Sequence, residues 1–396
     1  MRSCVGLLAA AAILAVGLTA STVVAQERAQ DFEATANRLV NQCANINEGD
    51  LVLVTGPTTN LKLLEHVAVH VRKLGAFPLI SIKTDDMERR MYTEVPEKFD
   101  QQAPKMYLKL ANMIDAAIMV MADEHPDALA DVSPQRIAER QRAMRPVYDT
   151  MLNRNVRLVG LGNGLYPTQA TARQFGISLD DLTSTFWSGV NVDYLRLQTI
   201  GDTVRARLTA GKMCRITDDR GTDFQVHIER RPVHVNDGVI SSDEVRQGGA
   251  ACQAWLPAGE VYFAPVNGTA EGTIVIDRHY FRGREIRDLR LTFKDGKLTS
   301  MTARSGLEPL RKLYDACSTG KDAFGAIDIG INPNVRIPDN SNMVAWMASG
   351  SITIGIGNNT WAGGDNHSDF ALYIHLRDAT LMVDGRKLID NGTLQP

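Results

Sequence analysis

The chain has 396 residues, 44% of them hydrophobic and 22% charged, with a formal net charge of −3. That balance belongs to an ordinary globular protein and is too apolar for a disordered chain. It supplies no basic footprint for nucleic acid or an anionic membrane, so neither partner is expected.

In chain order, Met1-Arg2, an apolar run over 5–18 and the small residues ending Val23-Val24-Ala25 form the three parts of a secretory signal peptide. Cleavage is expected after Ala25, and the apolar run is short for a spanning helix, so the mature chain is expected to be exported to the periplasm with no membrane span. Cys43, Cys214, Cys252 and Cys317 are an even number in an oxidising compartment, compatible with one or two disulfides. No C-x-x-C occurs, which argues against a zinc knuckle or a redox motif.

Residues 50–55 (DLVLVT) predict a strand that enters the turn Gly56-Pro57, 60–74 an amphipathic helix stopped by Gly75, and 77–82 a second strand. Then 103–114 reads as a helix, 116–121 as a buried strand, 134–152 as a longer basic helix, and 156–160 as a strand leading into the loop GNGLYPT. Strands alternating with helices imply a parallel sheet with helices on both faces. Residues 179–210 read as mainly helical, interrupted at Ser188-Gly189. From Lys212 onward the texture changes to short β-rich runs with turn signals such as Asn236-Asp237-Gly238 and Lys294-Asp295-Gly296, and with one helix over 307–317. The expected architecture is an α/β domain with a parallel sheet at 26–200, followed by a strand-rich α+β domain at 201–396.

Residues 255–277, WLPAGEVYFAPVNGTAEGTIVID, place Glu260 and Glu271 in an apolar, strand-forming context. A carboxylate buried there has to be paired, hydrogen-bonded or bound to a cation, which makes Glu260 a candidate ligand or acid/base. The competing reading is a strand-edge glutamate facing water. His66 and His70 share a helix face at i, i+4, but as E-H-x-x-x-H rather than the metalloprotease H-E-x-x-H, so a structural helix face is the stronger reading. GNGLYPT lacks dinucleotide spacing, and neither G-x-S-x-G nor a P-loop occurs. Near the end, GGDNHSD at 363–369 offers His367 and Asp369 as donors for zinc or iron(II), against the commoner alternative of a polar hairpin loop.

Several landmarks in order make the chain resemble the metal-dependent aminopeptidases typified by aminopeptidase T and aminopeptidase S. They are Tyr166-Pro167-Thr168, the Gly221-Thr222-Asp223 turn, LPAGEVYFAP with EGTIVID, GINP at 330–333, and a closing G-G-x-N-x-S loop followed by a V-D-G hairpin. A relative of the same fold, 2,5-dihydroxypyridine 5,6-dioxygenase, shares the EGT stretch and the Leu376-Arg377 pair. The resemblance implies a metal pair in the second domain, held by two glutamates, two histidines, a tyrosine and an aspartate, and it implies a homodimer. Laid onto this chain, the first glutamate is Glu260. The second falls at Ala326, with Asp328 the nearest carboxylate, and the first histidine falls on Thr353. The tyrosine falls near Thr360 with Trp361 beside it, and the closing H-x-D falls on Ala371 and Tyr373. Only the first position keeps its chemistry.

The expected function is therefore an exported, nominally metal-dependent hydrolase of the aminopeptidase type with a degenerate metal site. In one reading Glu260, as the catalytic residue, joins Asp328, His367 and Asp369 around one divalent metal, whether zinc, cobalt, manganese or iron. The pleat weighs against it, because four residues along a strand are roughly 13 Å. In a second reading no metal is used, and Glu260, Trp361 and Tyr373 line a site for a small molecule or peptide. A third is a ring-modifying enzyme related to the dioxygenase.

Overall fold

The computed structural model describes residues 31–396 except positions 123, 126, 283 and 340, so the leader expected at 1–25 lies outside the described residues. The first half contributes β1 (Leu51–Pro57), β2 (Phe77–Lys83), β3 (Ala116–Val120) and β4 (Arg157–Leu161), separated by helices that include Leu61–Lys73 and Pro134–Asn153. Helices Leu179–Val190 and Tyr194–Ala210 then lead to β5 (Met213–Thr217), β6 (Asp223–His227), β7 (His234–Asn236), β8 (Gln253–Leu256) and β9 (Glu260–Phe263). Next come β10 (Glu271–Phe281), β11 (Arg284–Lys294), β12 (Lys297–Thr302) and β13 (Phe324–Gly330). The last strands are β14 (Ile352–Gly357), β15 (Ala371–Leu376), β16 (Thr380–Val383), β17 (Arg386–Asp390) and β18 (Thr393–Leu394).

These strands build a five-stranded parallel sheet in the order β2-β1-β3-β4-β8, an eight-stranded sheet β12-β11-β10-β6-β5-β16-β17-β18, and a five-stranded sheet β15-β14-β13-β9-β7. The α/β half and the strand-rich half expected from the sequence are both present. β8 crosses between them, for it lies beyond residue 200 yet pairs with β4 as the last strand of the parallel sheet. The chain therefore returns to the first sheet immediately before the A-G-E turn, which places Glu260 beside the end of β4.

The two antiparallel sheets share one core. Ile327, Ile329, Ile352, Ile354, Ile356 and Ile374 from the third sheet pack with Phe224, Ile274, Leu289 and Phe293 from the second. Phe224, Phe293 and Phe324 meet ring to ring, with centroids 4.7–5.5 Å apart.

Several sequence features have structural partners. Glu33 accepts from His66 and pairs with His70, both at 2.9 Å, and with Lys73 at 3.0 Å, so the i, i+4 histidines clasp the first helix. Hydrogen bonds from His66, Lys73 and His70 hold the Glu33 carboxyl down at about 2. Glu271 lies on β10 and accepts the Asp295 N–H at 2.6 Å, closing a turn. Cys43, Cys214, Cys252 and Cys317 are all buried and unbridged, which corrects the expectation of disulfides. Burial pushes the Cys43 thiol up to about 12 and those of Cys252 and Cys317 to about 11. Among the described residues no helix is long and apolar enough to cross a membrane.

Candidate functional site

The third sheet has two unlike faces. Its isoleucines fill the shared core, while the alternate residues form a polar row. Asp328 lies opposite Tyr262 on one side and Thr353 on the other. Thr353 in turn faces His375, and Tyr262 faces His234. Glu260 lies opposite Asn236, and Tyr373 opposite Gly355. Because side chains alternate along a strand, all of these share the face turned away from the isoleucines. Glu260 and Asp328 are diagonal neighbours there, each only 3% exposed.

Two amides satisfy Glu260. Asn163, from the GNG loop after β4, donates to its Oε1 at 2.9 Å, and Asn236 donates to its Oε2 at 2.5 Å. The same amide nitrogens also donate to the carbonyls of Pro257 at 3.1 Å and Trp255 at 2.8 Å. GNGLYPT thus fastens the parallel sheet to the Glu260 turn. Burial raises the Glu260 carboxyl to about 7, against the pull of the Asn236 and Asn163 amides toward the anion. Asp328 is pushed well above the carboxylate range by burial and by the charge of Glu260, and its Oδ1 is buried without a hydrogen-bond partner. Burial thus disfavours charge on both members of the pair, and the charge of Glu260 disfavours that of Asp328.

GINP is a tie of the same kind. The buried Asn332 amide donates to the Ala258 carbonyl at 2.6 Å and the Gly189 carbonyl at 3.1 Å, joining the A-G-E turn to the helix Leu179–Val190. Gly330 lies directly opposite Glu260, and the chain at Trp346, Ala348 and Ser351 crosses where a Cβ would stand.

Aromatic side chains cover the far part of the face. Trp361 packs against Tyr262 at 5.3 Å and Tyr373 at 5.8 Å, and Trp346 packs edge-on against Tyr373 at 4.8 Å. Tyr373, His375 and Trp346 also line a cavity of about 730 Å³ that does not reach Glu260 or Asp328.

Of the candidate metal donors, the fold brings Glu260 and Asp328 together but sends His367 and Asp369 elsewhere. His367 is exposed, with its Nδ1 3.4 Å from Asp149 of the helix Pro134–Asn153. Asp369 is buried at that helix, accepting from Arg142 at 2.8 Å and from the Ser318 N–H and hydroxyl at 2.9 Å. Burial opposes its charge, but the Ser318 N–H, Arg142 and the Ser318 hydroxyl outweigh it and hold the carboxyl below its usual range. The segment is thus an anchoring loop. Thr360 lies in the short helical turn Thr360–Ala362, off the sheet, with its hydroxyl donating to Asn358 Oδ1 at 3.1 Å. Sequence reasoning missed His234, Asn236 and His375. Period-two alternation through H-V-N at 234–236 and Y-I-H at 373–375 was the signal that could have found them.

The parallel sheet followed by two antiparallel sheets is the fold of aminopeptidase T. The structure superposes on wild-type AmpT from Thermus thermophilus with a TM-score of 0.69 at 19% identity, covering 90% of this chain and 99% of that one. It also superposes on 2,5-dihydroxypyridine dioxygenase from Pseudomonas putida KT2440 with a TM-score of 0.53 at 14% identity, covering 92% and 95%. Aminopeptidase 2 of Geobacillus stearothermophilus is 24% identical over 313 residues, 72% of this chain and 73% of that protein. Residues 28–325 match the profile of the thermophilic metalloproteases, Peptidase M29, and the chain belongs to that family. The match includes Glu260 and ends just short of Ala326, before Asp328, Thr353, Ala371 and Tyr373.

The family implies a divalent metal, and the donors on this sheet do not fit a two-ion centre. Both oxygens of Glu260 already accept amide N–H groups. Among the described residues no group of three or more His, Cys, Asp or Glu side chains is arranged to hold a metal. Hydrolytic metal centres take several imidazole or carboxylate donors per ion, and Thr353, Ala326 and Ala371 supply none.

Proposed function

We propose that this protein is an exported, aminopeptidase-type member of the M29 family whose metal site is degenerate. The peptidase scaffold is kept, two-ion hydrolysis is not, and the site works by binding a small molecule or peptide. The observation that carries this reading is the Glu260–Asp328 pair. Its neighbours on the sheet face are amides, a threonine, aromatic rings and the histidines His234 and His375, and among the described residues these are not grouped with it to hold a metal. The adjoining cavity, which contains Ala371 and Tyr373 at the family's closing H-x-D positions, gives a ligand room to bind without metal chemistry. The leader at 1–25 supports export, and the resemblance to aminopeptidase T supports a homodimer.

The test is metal analysis of the mature protein, combined with release of aminoacyl p-nitroanilides in the presence of added zinc, cobalt or manganese. Substoichiometric metal and no metal-stimulated release are expected. A pair of cations per chain, or metal-dependent release lost in Glu260→Ala, would sink the proposal. The same preparation, exported from expressing cells, is expected to begin at Gln26 and to scatter light as a dimer.

A further inference from the structure

The cavity beside β15 is bounded by residues 275–281 of β10, by the loop at 339–346 and by the end of β15, and its volume is about 730 Å³. Small-molecule sites range over roughly 300–1,000 Å³. Three arginines border it, and they differ in their partners. Arg220 is paired with Asp218 at 3.1 Å and Arg278 with Glu285 at 2.8 Å. Arg377 is half-buried and donates to the Ser341 carbonyl at 3.1 Å, and among the described residues it makes no ion pair. Burial weighs against its charge, and the exposed Asp378 and Asp277 at the rim offset that only in part.

The wall next to Arg377 is aromatic. Trp346 stands edge-on to Tyr373 and to His375, with ring centroids 4.8 and 5.2 Å apart. His375 shares a 2.7 Å hydrogen bond with Thr353, which leaves the rest of its ring to the cavity side. Burial holds His375 at about 3 and His279 at about 4, so both are neutral hydrogen-bonding groups at pH 7. Of the three arginines Arg377 is the one without an ion pair among the described residues, although Asp277 and Asp378 also line the cavity.

We propose that this cavity binds a small aromatic carboxylate, with the carboxylate on the Arg377 guanidinium and the ring against Trp346 and Tyr373. A guanidinium presents a planar fork that matches a carboxylate with two parallel N–H bonds, and partial burial strengthens that pairing. Aromatic edges and faces complement a flat ring at the same spot. The inference rests on reading the degenerate site as a binding site, but it draws on residues other than Glu260 and Asp328.

The test is calorimetric titration of the full mature protein with phenylacetate and with phenylacetamide, which share a ring and differ in charge. Phenylacetate is expected to saturate, and the amide to bind roughly tenfold or more weakly. Arg377→Met should erase that preference in a protein of unchanged circular dichroism. Trp346→Leu should weaken both probes and keep the preference. If Arg377→Met does not fold, Arg377→Lys carries the test through a reduced preference for the acid. Equal affinity for acid and amide, no saturation by either probe, or a preference that survives in folded Arg377→Met overturns the proposal. Metal-dependent anilide cleavage would sink the degenerate-site reading without altering this titration, so the two failures are distinguishable.

Discussion

The contribution of Glu260 to conformational stability is expected to fall as pH rises from the ordinary glutamate value of 4.5 toward about 7, because Glu260 keeps its proton in the folded state over that window. The unfolded chain releases this proton near 4.5, so between the two values the Glu260 contribution declines with increasing pH, in total on the order of 3 kcal/mol. His234, His279 and His375, held neutral by burial, act on the whole-protein profile in the opposite direction. The Glu260 contribution is complete below 4.5 and gone above about 7, and Asp328, also raised by burial and by the charge of Glu260, adds a decline of the same sign. Urea midpoints of the mature protein from pH 5 to 8 check this. Set against Glu260→Gln, which lacks the titrating group, the wild type should lose relative stability across the window. Glu260→Ala should cost about 2–4 kcal/mol at any of these pH values, because the Asn163 and Asn236 amides are each left with an unsatisfied buried N–H. A wild-type stability that does not fall relative to Glu260→Gln over that window would contradict the raised Glu260 carboxyl.

Gly330→Ala is expected to cost about 3 kcal/mol. Its new Cβ would stand inside the Ala348 and Trp346 carbonyls and the Ser351 hydroxyl. The obstruction is mostly backbone, so relief requires residues 346–351 to shift and Trp346 to leave Tyr373 and His375. Loss of urea stability should therefore come with a changed tryptophan emission spectrum. A variant as stable as wild type, with an unaltered spectrum, would show that the crossing is looser than described.

The sequence made the scaffold readable where period and turn chemistry agree. The strand expected over 77–82 is β2 at Phe77–Lys83, and the helix expected over 60–74 is Leu61–Lys73. Ser188-Gly189 misled, because the helix Leu179–Val190 runs through it. There Gly189 gives close passage to Val335 and Pro257, a tertiary contact that local propensity cannot reveal. Helix Asp85–Thr93, a short and mostly polar element capped by Thr84, buries only Tyr92 and so has little core-facing surface to mark it in the sequence. At the site, Glu260 was legible because an acidic residue in an apolar strand is anomalous. The destination of Asp369 was not, because a carboxylate near a glycine-rich loop reads alike whether it faces a metal or Arg142. Arg377 was visible only as half of a familiar dipeptide, and its lack of an acidic partner is a property of three dimensions.

Asn163 and Asn332 bind the α/β half to the A-G-E turn from two directions, through Glu260 and through the Ala258 carbonyl. Swinging one half from the other as on a hinge would have to rupture both amide ties, and would leave the buried Glu260 and Asn332 without those partners. Traffic into the cavity is thereby left to its outer lip, where Asp339 and Ala371 meet solvent, so the rate of ligand entry should follow the motion of that lip rather than of whole domains.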